Sequence, residues 1–120
     1  VSGYAATNGV AYERSMGRWS RKLADAMLGA LALPPGLAVL DAGCGTGALS
    51  DALAARDATA RITGIDISTA FLEAARARVP SGDFRAGDLC ALDLPDRFFD
   101  AALSLLVLQF VPDRAKAVAE

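Results

Sequence analysis

Histidine is absent from this chain, and cysteine occurs only twice, at Cys44 and Cys90. Without histidine there is no Ser-His or Cys-His catalytic pair, and the commonest metal-binding side chain is missing. Two widely separated cysteines give neither a zinc-binding spacing nor a disulfide framework. No metal is therefore expected, and a reducing, cytoplasmic setting is the default. Basic residues do not outnumber acidic ones: 12 Lys and Arg stand against 14 Asp and Glu, a formal charge of −2. With no basic run either, general affinity for nucleic-acid backbone is excluded. No apolar stretch reaches the ~18 residues of a membrane span, and the first ten residues do not form a signal peptide.

What the chain does have is apolar content, 53% over 120 residues. That is enough for one domain, or part of one, to bury roughly two-thirds of its unfolded surface. The chain is organised around Val39-Leu40-Asp41-Ala42-Gly43-Cys44-Gly45-Thr46-Gly47. Two apolar residues suited to a buried strand run into an acid, and glycines then alternate with small residues. Glycines at this spacing suit a turn that a ligand can approach closely, because no Cβ intervenes. Positions 48–56 then read as a helix, so strand, turn and helix make a nucleotide-type binding corner.

Residues 1–18 form a lead-in and 19–120 the domain proper. In the lead-in, Tyr12, Arg14, Arg18 and Trp19 bring aromatic and basic groups together. Two readings stand: a hinge whose Trp19 packs on the domain, or a lid over the ligand with an arginine for a carboxylate. Ser20 is placed to cap a helix over 20–31 with Leu23, Met27, Ala30 and Leu31 facing the core. Pro34-Pro35-Gly36 ends it, and the first strand is expected over 37–41. The helix after the glycine turn buries Leu49, Ala52 and Leu53. A second strand is expected over 61–66. Ser68 or Thr69 caps a helix that buries Phe71, Leu72, Ala75 and Val79 and leaves Glu73, Arg76 and Arg78 in water. A third strand is expected over 83–86, and a fourth over 98–106, entered at Asp100. Pro112 suits the first turn of a last helix. Alternating strands and helices imply parallel pairing and right-handed crossovers.

In such a sheet, ligands bind beyond the carboxyl ends of the strands. Polar residues fall at each of those ends: Asp41 with the glycine turn, Asp66, Asp88 and Ser104. Asp66 comes about 20 residues after the turn, where an acid can accept both hydrogen bonds of a ribose diol; the alternative is a strand-end acid capping the next helix. Asp88 either accepts from an exocyclic amine such as that of adenine or bonds its own backbone in a turn. Asp41 is expected to hold the glycine loop through backbone N–H groups. Cys44 reads as a small loop residue, and Asp100 as structural. Gly43, Gly45 and Ala48 also satisfy G-x-G-x-x-[GA], which keeps the cofactor half of an NAD(P)-dependent oxidoreductase open. Against it, the acid at Asp41 adds negative charge where a pyrophosphate would lie.

Val39 to Gly47 resembles motif I of the class I S-adenosylmethionine-dependent methyltransferases. Gly64-Ile65-Asp66-Ile67-Ser68 resembles their second motif, Gly87-Asp88-Leu89 their adenine-contacting one, and the run from Phe98 to Ser104 their fourth-strand motif. Tyr12 and Met16-Gly17-Arg18-Trp19-Ser20 resemble the lead-in of the small-molecule subgroup near the quinone-biosynthesis enzymes. The resemblance implies an α/β, Rossmann-like three-layer sandwich with a mostly parallel sheet, truncated after the fourth strand. It implies S-adenosylmethionine as cofactor, held by the glycine turn (Gly43, Cys44, Gly45, Gly47), Asp41, Asp66 with Ile67, and Asp88 with Leu89. Ser104 and Leu105 would lie near the methionine end, with Tyr12 and Arg18 closing over it. No catalytic base is identified.

The resemblance further implies methyl transfer to a small-molecule acceptor, with no nucleic acid and no membrane span. A non-catalytic module that binds cofactor or a partner remains the second alternative. Relatives of this type continue with three more strands, so a chain that opens on Val1 and stops after the fourth strand reads as the cofactor half of an enzyme, inactive alone. Its apolar fourth strand would then favour self-association.

Overall fold

Short runs carrying valine, isoleucine, leucine or phenylalanine, bounded by glycine, proline or aspartate, become strands here, and alanine- and arginine-rich runs between them become helices. The computed structural model describes residues 18–94 and 98–105. In chain order these form α1 (Arg18–Leu31), β1 (Ala38–Ala42), α2 (Ala48–Arg56), β2 (Arg61–Asp66), α3 (Thr69–Arg78), β3 (Asp83–Ala86) and β4 (Ala101–Leu103). Tyr12 and residues 106–120, including the expected last helix, lie outside the described residues, as does most of the lead-in.

The four strands form one parallel sheet in the order β3-β2-β1-β4. This is the expected α/β, Rossmann-like arrangement. Successive strands step outward from β1 to β3, and the chain then returns to the other side of β1 to lay down β4. The order therefore reverses between β1 and β4, and the crevice beyond their carboxyl ends is where such sheets bind ligands.

Residues facing one side of the sheet pack under helices. Val39, Ile62 and Leu103 join Ala24 and Leu28 of α1 and Leu49, Ala52 and Leu53 of α2 in one buried cluster. Phe84 joins Leu72, Ala75 and Val79 beside Cys44 in a second. On the opposite face, Leu40 and Ile65 are covered by Leu89, with Leu92, Leu94 and Phe99 packed around them. Among the described residues, the helices cover one face and the segment after β3 the other.

One carboxylate ties the helices of the first face together. Asp51 Oδ2, in the first turn of α2, accepts from Arg21 NH1 of α1 at 2.7 Å and from Arg78 Nε of α3 at 3.0 Å. Arg78 was expected in water and is instead half-buried in this pair. The entry to β4 is latched similarly: Asp100 Oδ2 accepts from Ala38 N–H at 2.8 Å, and Asp100 N–H donates to Ala38 O at 2.7 Å. Asp100 is thus structural, as expected.

Three expectations are corrected. Ser20 does not cap α1: the helix starts at Arg18, and Ser20 is a buried residue inside it. The buried face of α1 is Ser20, Ala24 and Leu28, while Leu23, Ala30 and Leu31 are exposed and Met27 is only partly buried. Small residues turn inward because α1 lies close against α2. The fourth strand is shorter than expected, since Phe98 to Asp100 precede the ladder and Asp100 is engaged by the latch.

Candidate functional site

Beyond β1, three N–H groups of the glycine turn point back into the protein. Gly43 N–H and Cys44 N–H both donate to Ile65 O, at 2.8 and 3.0 Å. Gly45 N–H donates to Asp66 Oδ2 at 2.9 Å. The turn is thereby laced to the end of β2. Gly47 closes it as the N-cap of α2 with φ +91°, and a Cβ there would also lie 3.3 Å from Ala75 of α3. At Gly45, where φ is +55°, nothing lies within 4 Å of the place a Cβ would occupy. The backbone there is bare enough for close approach.

Gly47 brings no side chain to cap α2, and Asp41 supplies the missing acceptor. Ser50 Oγ donates to Asp41 Oδ2 at 2.6 Å, and the Ser50 backbone N–H bonds the same carboxylate. Both residues are buried. Burial raises the Asp41 pKa to about 6, against the lowering effect of the Ser50 bonds and with a further push from the Asp66 charge. Asp41 was expected to hold the glycine loop through its N–H groups. It holds the start of α2 instead, because Ile65 O and Asp66 already claim three loop donors and because Asp41 faces the helix side of the sheet. Burial, with the charges of Asp41 and Asp66, also pushes the Cys44 thiol far up, so it is no thiolate nucleophile.

Asp66 serves two neighbours. Its Oδ2 takes Gly45 N–H and its Oδ1 takes Ser68 N–H at 2.9 Å. Each oxygen keeps a further lone pair, which is what a diol requires. Ser68 then caps α3, its Oγ accepting from Phe71 N–H at 3.3 Å. Ile67, between them, is 78% exposed, an apolar side chain just beyond the end of β2. Asp88 is exposed and its Oδ1 accepts from Cys90 N–H at 2.8 Å, the turn geometry. Leu89 is buried against Leu40 and Ile65.

Ser104 follows β4, at the point where strand order reverses, and its buried Oγ has no partner among the described residues. Leu105 packs against the helix-side cluster. Arg18 opens α1.

Sequence reasoning missed the inward-facing hydroxyls. The buried polar residues among those described are Ser20, Asp41, Thr46 and Ser50. Three of them belong to the glycine corner, and Ser20 sits in the first turn of α1. A serine beside the buried Leu49, one turn into the helix, was the available signal for Ser50.

A family model described as a methyltransferase domain matches residues 40–120. The chain belongs to that family. This methyltransferase domain is 38% identical over 117 residues to a demethylmenaquinone methyltransferase of Renibacterium salmoninarum, covering 98% of this chain and 47% of that protein. It is 36% identical over 100 residues to a malonyl-acyl-carrier-protein O-methyltransferase of Serratia marcescens, covering 83% and 38%. Among solved structures it resembles the 4+2 cyclase SpnF with a TM-score of 0.73 at 30% identity, covering 82% of this chain and 38% of that one. The chain thus spans less than half the length of these relatives. Its family and fold are those of class I S-adenosylmethionine-dependent methyltransferases.

Proposed function

We propose that the protein binds S-adenosylmethionine beyond the carboxyl ends of β1, β2 and β4 and transfers its methyl group to a small-molecule acceptor. The observation that carries this is the state of the glycine turn. Its Gly43, Cys44 and Gly45 N–H groups are bonded internally, and the Asp41 and Asp66 carboxylates stand behind them. A pyrophosphate needs free N–H groups and no nearby anion, so the turn is a poor seat for NAD(P). A cation fits: open backbone over Gly45, negative charge beneath it, and the Ile67 shelf beside it.

In this reading Gly43, Cys44, Gly45 and Gly47 form the floor, Asp66 takes the ribose hydroxyls, and Ile67 supports the adenine. Asp88 takes the adenine amine with the lone pairs its turn leaves free, and Leu89 backs the ring from the core. Asp41 adds field from behind the turn. Ser104, with its unpartnered hydroxyl, faces the methionine end, and Leu105, Tyr12 and Arg18 complete that side. When bound, the cofactor supplies an activated sulfonium methyl. The protein's part is orientation and exclusion of water, which agrees with the absence of histidine.

The acceptor does not transfer from the relatives, whose names give a demethylmenaquinone and a malonyl-acyl-carrier protein. SpnF, described as a cyclase, favours a second reading in which the fold binds the cofactor without transferring a methyl. The outer edge of β4, unpaired among the described residues, is proposed to pair with a further strand, of the same chain or of a second copy. Titration calorimetry of the full-length protein with S-adenosylmethionine and NAD tests the site. Heat from NAD alone overturns the reading. Turnover of labelled methyl groups with a panel of small acids and phenols separates transferase from binding module.

A further inference from the structure

Strand β3 pairs only with β2 among the described residues, so its other side is a sheet edge. Gly87 N–H, just past the strand, donates to Asp66 O of β2. Backbone groups alternate in direction along a strand, so Asp83 and Arg85 also turn theirs toward β2. Phe84 and Ala86 present theirs to the outside. Such a row is a template for another strand. Here the Phe84 carbonyl is already taken. Arg76 of α3 reaches over the edge, and its guanidinium donates to Phe84 O at 2.7 Å. The helix does not need this bond to dock, since Leu72, Ala75 and Val79 already pack it against Phe84. Arg76 itself is exposed.

The strand that fits this edge is a second copy of β3. Asp83 and Arg85 lie on the face away from Phe84, both about half exposed, and pair with each other at 2.6 Å. When two such edges meet antiparallel about a twofold axis at Phe84, Asp83 of each copy lies directly across from Arg85 of the other. The two ion pairs within the copies are then matched by two between them. At the axis the two Phe84 residues exchange N–H and C=O groups. That exchange requires the carbonyl that Arg76 holds.

We infer that Arg76 guards the β3 edge: its guanidinium occupies the Phe84 carbonyl and keeps a second copy of the chain from adding there as an antiparallel strand. Charge acts in the same direction as the bond. Pairing would bring the Arg76 of both copies to one axis, where like charges repel. The edge is thus complementary to itself in its strand residues and closed by a residue of the neighbouring helix. This holds whatever the glycine turn binds.

The test is analytical ultracentrifugation of the full-length protein over a concentration series. Arg76→Ala should fold, because position 76 is exposed and alanine is the best helix former. Its weight-average mass is expected to rise with concentration toward twice that of wild type. Two second substitutions locate the contact. Ala86→Pro removes an outward N–H at a place where an edge strand accepts proline. Asp83→Arg sets like charges across the axis. Added to Arg76→Ala, each should return the mass to that of wild type. An Arg76→Ala mass equal to wild type at every concentration overturns the inference. Association that survives either second substitution overturns it as well, since the contact then lies elsewhere, as at the outer edge of β4. Wild-type protein whose mass falls on Ala86→Pro alone also overturns it, because the edge would already be open.

Discussion

Asp41 at the end of β1 and Ser50 in the first turn of α2 are joined by a 2.6 Å hydrogen bond inside the protein. The same carboxylate also accepts the Ser50 backbone N–H, and so caps a helix whose own N-cap, Gly47, has no side chain to offer. It lies in a poorly solvated site, with its pKa raised from 3.8 to about 6. Between those values the folded state holds a proton that the unfolded state has released. The Asp41 contribution to stability is therefore greatest below 3.8 and is lost as pH rises to about 6. Urea midpoints measured across that window should fall with rising pH more steeply in wild type than in Asp41→Asn. Parallel profiles would place the Asp41 pKa at its ordinary value.

A second expectation concerns the close approach of β2 and Phe84. A Cβ on Gly64 would lie 2.4 Å from Phe84 Cδ1 and 3.0 Å from Cys44 Cβ. Gly64→Ala should cost roughly 1–3 kcal/mol through overpacking. In a Phe84→Leu background the same change should cost less, because the ring is gone. Chemical denaturation of the double-mutant cycle measures this, and additive losses would show that the ring is not what Gly64 accommodates.

Much of the fold was legible because local signals agreed with packing. The helix after the glycine turn, β2 and β3 have the residues expected of them, and the large apolar residues of α3 are buried as their spacing implies. The register of α1 was not legible. Periodicity picks out large side chains such as Leu23 and Leu31, whereas a close helix contact takes the small Ser20 and Ala24 inward. The strand-end acids were visible as positions but not as bonds. Which donor each carboxylate meets depends on which side of the sheet it faces and on which N–H groups are already taken. That is how Asp41 meets Ser50 while Asp66 holds Gly45.

Two glycines of the turn should separate stability from binding. Gly47→Ala meets Ala75 at 3.3 Å with φ at +91°, so it should unfold the protein at markedly lower urea. Gly45→Ala has φ +55° and open space around the new methyl. It should pay only the left-handed backbone penalty, about 1–2 kcal/mol, yet obstruct the ligand's approach. The prediction is a larger loss of S-adenosylmethionine affinity per unit of lost stability for Gly45→Ala. The reverse order would place the ligand elsewhere on the turn.

The Asp66 carboxylate gives the most direct test, and its two protein bonds complicate a simple deletion. Asp66→Ala removes the acceptor proposed for the ribose and also releases Gly45 N–H and Ser68 N–H. A charged acceptor bonded to hydroxyls contributes roughly 1.5–3 kcal/mol, or about one to two decades of affinity. A loss of that size for S-adenosylhomocysteine is expected, but a loosened turn would produce it as well. The ligand supplies the missing control. A dideoxyribose form of S-adenosylhomocysteine lacks the diol. It should bind wild type about as weakly as the natural ligand binds Asp66→Ala, and should lose little further affinity in that variant. Such non-additivity means that the carboxylate and the diol touch. If the dideoxy ligand loses as much as the natural one on mutation, Asp66 acts only by holding Gly45 and the start of α3, and the ribose is bound elsewhere.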